Sequence, residues 1–190
     1  MNHINFSNHF LIAMPGCADS VFHGAVVYIC EHNRYGALGV TINKASNMTV
    51  NELLDKVDIS VDKTLAHTRI VQQSVLSGGP VQDDRGVVLH ASSLCFSSTL
   101  KVTDQVAYTT SRDVLESIAS GEGPHQFLVS LGYAGWEKGQ LEHEIAHNEW
   151  LIVEASPEIL FKLPVAERYA GALKLLGVDT TCLCCQVGHA

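Results

Sequence analysis

The pentapeptide from His143 to His147, His-Glu-Ile-Ala-His, has the residue types and spacing of a zinc hydrolase. Two imidazoles four positions apart lie one turn apart on a helix and can ligate one ion. Glu144, beside the first, would take a proton from metal-bound water. A third protein donor is required. Glu167, with nineteen residues between it and His147, is the candidate by spacing.

The element that would carry these residues argues the other way. At about 100° per residue, Leu141 and Ile145 define the apolar stripe of the helix, and both histidines fall on its far side. A hydrolytic zinc needs a cleft and supporting groups around its ligands. The helix is short, follows Gly139 and runs directly into the strand-like "WLIVEA". Pro157 and Pro164 interrupt the chain before Glu167. The expectation is an exposed histidine pair with no catalytic residues and no cofactor. A zinc hydrolase using His143, His147 and Glu167 as ligands stands as the alternative.

Other chemistry-bearing stretches divide in the same way. Gly78, Gly79 and Pro80, in "SGGPV", can turn successive amides toward an anion, but no phosphate-loop pattern follows. A tight turn closing a strand needs the same residues. Cys182, Cys184, Cys185 and His189 offer four metal donors at the tail, without the C-x2-C spacing of zinc ribbons. Cys17 follows a turn, yet no base is placed beside it by the sequence. The block "GYAGWEKGQLE" (132–142) is the richest. Its glycines free the backbone, while Tyr133 and Trp136 present aromatic faces and Gln140 and Glu142 stand at a helix start. It builds either a binding concavity or a strand-to-helix corner that packs Trp136 inward. Candidate ligand-binding residues are therefore Gly78, Gly79, Pro80, His90, Tyr133, Trp136, Gln140 and Glu142.

Strands are expected over 9–15, 24–30, 36–43, 74–81, 85–92, 101–110, 125–135 and 149–155. The first two long ones, joined by "EHNRY", should form an antiparallel hairpin. Thr49 and Glu52 make a capping box for a helix over 50–57. Ser111 is expected to cap the next helix, which Gly121 ends. A further helix is expected over 164–177, with Pro164 in its first turn and Gly177 as its stop. Paired strands followed by interleaved helices, without regular βαβ alternation, predict an α+β fold.

Bulk properties narrow the partners. The chain has 190 residues, 46% of them hydrophobic, and a formal net charge of −8. That suits one domain with a real core, residues 1–190. No basic stripe exists for nucleic acid, and an acidic membrane surface would be repelled. The N-terminus has no signal-peptide pattern and no apolar run reaches about 18 residues, so a cytoplasmic chain is expected. The six cysteines then persist as thiols.

"FLIAMPG", "VVYICEHNRYGALGVTINK", "SGGPV" with "RGVVLHAS", "LGYAGWEKGQLEHEI" with "NEWL", and "QVGHA" occur in that order along nearly the whole chain. Together they resemble the AlgH/YqgE family of bacterial proteins. The resemblance implies a cytosolic α+β domain with a bifurcated sheet, including a small closed barrel, flanked by helices. It implies no established enzymatic activity. One branch of that family is labelled a transcriptional regulator of alginate synthesis, but this chain shows no DNA-binding motif. The function expected is a non-catalytic binding or regulatory protein for a small molecule or a protein.

Overall fold

The computed structural model describes residues 4–14 and 21–178. Among the described residues ten strands form: β1 (His9–Ala13), β2 (Val26–Asn33), β3 (Gly36–Thr41), β4 (Ala45–Thr49), β5 (Ser74–Ser77), β6 (Val81–Ala91), β7 (Leu100–Lys101), β8 (Val106–Thr109), β9 (Phe127–Glu137) and β10 (Trp150–Glu154). The helices are α1 (Val50–Lys56), α2 (Arg69–Gln72), α3 (Asp113–Ser120), α4 (Gln140–Ala146), α5 (Pro157–Phe161) and α6 (Arg168–Leu175). The class is mixed α+β, as expected. The chain divides into two compact units, residues 1–43 with 134–190, and residues 44–133. Strand β9 passes from the second to the first.

In the first unit the strand order is β10-β1-β2-β3-β9, every pairing antiparallel. The β2–β3 hairpin forms where expected, closed by Arg34 and Tyr35. Strand β1 after His9 and the first five residues of β2 are apolar and buried. Leu11, Val27 and Ile29 join Trp136, Leu141 and Trp150 in one core cluster. Helix α6 packs on β1 and β2 as well.

The second unit runs β4-β5-β9-β6-β8-β7, with β5 parallel to β9 and the other pairs antiparallel. Helices α1 and α3 supply Val50, Leu53, Leu54, Val114 and Ile118 to its core. Among the described residues no pairing joins β4 to β7, so these pairings do not form the closed barrel that the resemblance implies.

Four local expectations change. The strand expected over 101–110 breaks into β7 and β8. Ser111 does not cap α3: the N-cap position is Arg112, and the Ser111 hydroxyl donates to Asp113 at 2.5 Å. No side chain caps α3; Asp113, its first residue, instead accepts the amide and hydroxyl of Ser97, both at 2.8 Å. Those donors, Ser111 first, hold its carboxyl down to about 2. Pro157 opens α5 as well as ending a strand, in keeping with its fixed φ at a first helical position. The helix expected from Pro164 is split: Val165–Glu167 is a 3-10 turn and α6 starts at Arg168. The split aims Arg168 into the protein, where it is buried. Its Nη1 donates to the Ile42 carbonyl at 2.6 Å and its Nε to that of Leu163 at 3.1 Å. Burial lowers this guanidinium to about 10, still charged at neutral pH.

Candidate functional site

Strand β9 ends in a corner that turns the chain into α4. Gly139 makes the turn at φ 77°, a left-handed conformation suited to glycine. The backbone amide of Glu137 donates to Gln140 Oε1 at 2.9 Å, closing the corner. Leu141 is buried, and Glu142 Oε1 accepts from His32 Nε2 at 3.1 Å. The other ring nitrogen of His32 accepts the Phe6 amide at 3.1 Å, so Nε2 carries the proton. The His32 ring also stacks on Phe6.

Glu144 is the centre of this corner. Its Oε2 accepts the indole N–H of Trp136 at 2.7 Å and that of Trp150 at 2.8 Å. Its Oε1 accepts the Gln140 amide at 2.9 Å. Trp136 and Trp150 are 6% and 4% exposed, so two buried donors depend on one carboxylate. The two indoles meet edge to face with centroids 6.1 Å apart, and Phe22 packs against both. The residue that a zinc hydrolase would use as its base is thus an acceptor that joins the end of β9, α4 and the start of β10.

The proposed ligands do not gather around it. His143 and His147 are exposed, as the apolar stripe predicts. Among the described residues no group of three or more His, Cys, Asp or Glu side chains is placed to hold a metal ion, so Glu167 does not complete the set. The donor set does not fit a catalytic zinc. Cys17 and the tail residues Cys182, Cys184, Cys185 and His189 lie outside the described residues.

In the second unit the two glycine-rich stretches interlock. The Gly78 amide donates to the Leu131 carbonyl at 2.8 Å, and Val81 pairs with Tyr133. A Cβ on Gly78 would lie 2.2 Å from the Gly132 carbonyl oxygen. One on Gly132, at φ 73°, would lie 2.4 Å from the Gly79 carbonyl oxygen. At least one amide of the suspected anion cradle is therefore already used. Gly132→Ala should lower stability by about 2 kcal/mol through backbone strain and displacement. A urea titration showing an unchanged midpoint would contradict this close approach.

His90 lies at the far end of β6, fully buried. Its Nδ1 faces the Ala91 carbonyl at 2.8 Å and its Nε2 the Thr109 hydroxyl at 2.9 Å. A carbonyl only accepts, so Nδ1 holds the proton and Thr109 donates to Nε2. The Thr99 hydroxyl then donates to Thr109 at 2.7 Å and accepts the Phe96 amide at 2.7 Å. This chain is satisfied only with a neutral ring. Burial pushes His90 below the usual imidazole range, partly opposed by the Ala91 carbonyl. Because the unfolded imidazole binds the proton more tightly, the stabilisation is complete above about pH 6.5 and is lost as pH falls through the folded value. Melting curves from pH 7.5 to 5 should fall less steeply for His90→Asn than for the parent chain. Equal slopes would contradict the neutral-ring reading.

The structure therefore gathers Trp136, Gln140 and Glu142 at one corner, where their polar atoms serve internal bonds. Gly78, Gly79, Pro80 and Tyr133 gather at another, and His90 belongs to neither. Beside the glycine corner, Ser46, Asn47, Met48, Glu52, Lys56 and Leu131 line an open concavity of about 420 Å³. Its lining from β4 and α1 includes Glu52 of the capping box, which signals a helix start and not a binding site. The parts played by Trp150, His32 and Arg168 were also missed. One signal was available: the only two tryptophans of the chain flank the His-Glu pair at 136 and 150.

Fold and site together define a mixed α+β protein in which the glutamate of the metalloprotease-like motif is a structural acceptor. Comparison with known proteins supplies its kin. The DUF179 family model, described as AlgH-like, matches residues 10–181. A UPF0301 protein of Ralstonia pickettii is 52% identical over 187 residues, 98% of this chain and 96% of the relative. One from Chromobacterium violaceum is 50% identical over 190 residues and 100% of both chains. The solution structure of the AlgH protein from Pseudomonas aeruginosa superposes with a TM-score of 0.78 at 46% identity, covering 100% of both chains. A Corynebacterium diphtheriae protein of known crystal structure shares the fold, with a TM-score of 0.70 at 19% identity over 91% of this chain and 87% of that one. The chain belongs to the AlgH-like, UPF0301 family.

Proposed function

We propose that this chain is a non-catalytic binding protein of the cytosol, acting as one domain over residues 1–190. The observation that carries this reading is Glu144, whose two carboxylate oxygens accept three N–H donors from Trp136, Trp150 and Gln140. A carboxylate so engaged serves as the acceptor of the buried indoles. The family model spans residues 10–181, which supports one functional unit. Among the described residues no helix is long and apolar enough to cross a membrane.

The ligand is a small molecule, held in the concavity between β4 and α1. Met48 and Leu131 offer apolar surface, and Ser46, Asn47 and Lys56 offer polar groups, at a volume within the usual range for small-molecule sites. Any regulatory effect would run through this ligand rather than through DNA, in keeping with the net charge of −8. The test is a thermal-shift screen of fractionated cytosolic small molecules against the untagged chain. A fraction should raise the melting temperature of the parent and not of Lys56→Glu or Met48→Asp. No shift with any fraction, or equal shifts in all three proteins, would contradict the site. Zinc-dependent peptide hydrolysis lost in Glu144→Gln would contradict the non-catalytic reading.

A further inference from the structure

His143 and His147 take no part in the carboxylate–indole network, and both side chains are exposed. His143 lies on α4 and His147 is its C-cap residue. Their ring centroids are 4.1 Å apart, with planes inclined at 40°. The Nδ1 of His147 lies 2.8 Å from the carbonyl oxygen of His143. Since that oxygen only accepts, Nδ1 carries the proton and the neutral ring keeps its lone pair on Nε2. Metal-ligating histidines are commonly held in this way, with the second ring nitrogen donating to a backbone carbonyl.

We propose that His143 and His147 form a two-donor surface site for a late first-row divalent cation, copper(II), nickel(II) or zinc(II), completed by water. The donors select the ion. Imidazole suits these metals, whereas magnesium and calcium prefer oxygen ligands. Two protein donors leave coordination positions open, so the ion exchanges readily instead of being locked in.

Glu144 stands apart from this site although it lies between the two histidines in sequence. Both of its oxygens are taken, one by Gln140 and the other by the two indoles. The bound ion therefore has no carboxylate base beside it, and binding brings no hydrolysis. Its effect is mechanical. Coordination closes a ring across the last turn of α4 and ties the C-cap residue to the helix. An ion that binds only the folded chain raises its melting temperature by mass action.

The test uses the full, untagged chain after chelator treatment, titrated with nickel(II) or zinc(II) alone by calorimetry. One ion per chain is expected, together with a higher melting temperature. His143→Ala and His147→Ala should each bind at least tenfold more weakly. Because both side chains are exposed, the metal-free melting temperature of each variant should stay unchanged, which shows that the fold is intact. Copper(II) should broaden amide resonances first at residues 143–147. A loss of less than tenfold in either variant would overturn the proposal. So would broadening centred elsewhere, on the cysteine-rich tail or on another histidine.

Discussion

Replacing Glu144 by alanine is expected to lower stability by about 4 kcal/mol. Two buried indole N–H groups and the Gln140 amide lose their acceptor together. A buried donor left without a partner costs about 1–3 kcal/mol, and bonds to a charged group lie at the upper end. For a chain of this length the melting temperature should fall by about 8–16 °C. Glu144→Gln should cost less, because one amide oxygen can still accept both indoles. Its new N–H₂ would, however, meet that of Gln140. Thermal melts of the two variants, read beside the parent, check the order. A catalytic base shows the opposite pattern, in which the glutamine variant keeps full stability and loses activity. Equal melting temperatures for parent and alanine variant would remove Glu144 from the architecture.

The second large effect concerns Arg168. Its guanidinium bonds the carbonyl oxygens of Ile42 and Leu163, and so joins the chain after β3 to the segment that follows α5. Arg168→Met should cost about 3 kcal/mol, since two carbonyls lose charge-assisted bonds while the desolvation of a buried cation is relieved. The expected fall in melting temperature is about 6–12 °C. Arg168→Lys should lie between, because an ammonium lacks the forked geometry that reaches both oxygens. Denaturant titration distinguishes the three proteins. If lysine is as damaging as methionine, packing of the guanidinium plane outweighs its hydrogen bonds.

Local chemistry was legible in the sequence wherever it was self-contained. Thr49 and Glu52 predict a capping box, and both of its halves form. The β2–β3 hairpin and the glycine stop at Gly121, φ 83°, follow from equally local rules. The stripe set by Leu141 and Ile145 predicts that His143 and His147 face outward, and they do. What was hidden depends on partners distant in sequence. Arg168 is one residue of the helix expected over 164–177 until its bond to Ile42, 126 positions away, is known. His32 reads as a hairpin residue until Glu142 closes on it from 110 positions away. Ser111 is drawn into a bond to Asp113, which Ser97 also reaches from 16 positions away, and α3 is left without a side-chain cap. The glycines at 78 and 132 look like freedom in the sequence and are a close backbone crossing in the structure.

The same contrast explains the metalloprotease-like pattern. The spacing of two histidines and a glutamate is set by one helical turn, so it can arise wherever a short helix is polar on one side. Its meaning is decided by what the glutamate touches. Here that is the aromatic pair of β9 and β10, which lies on the core side of α4. The block "GYAGWEKGQLE" then reads as one device: a glycine turn, an amide clasp, a buried leucine and a carboxylate partner for His32.

The most direct measurement is hydrogen exchange of the indole N–H protons by NMR in the parent chain. Trp136 and Trp150 should give two downfield Nε1–H resonances that exchange slowly, and both should move upfield and exchange faster in Glu144→Gln. Freely exchanging indoles in the parent, or resonances indifferent to the substitution, would mean that this carboxylate does not hold the tryptophans.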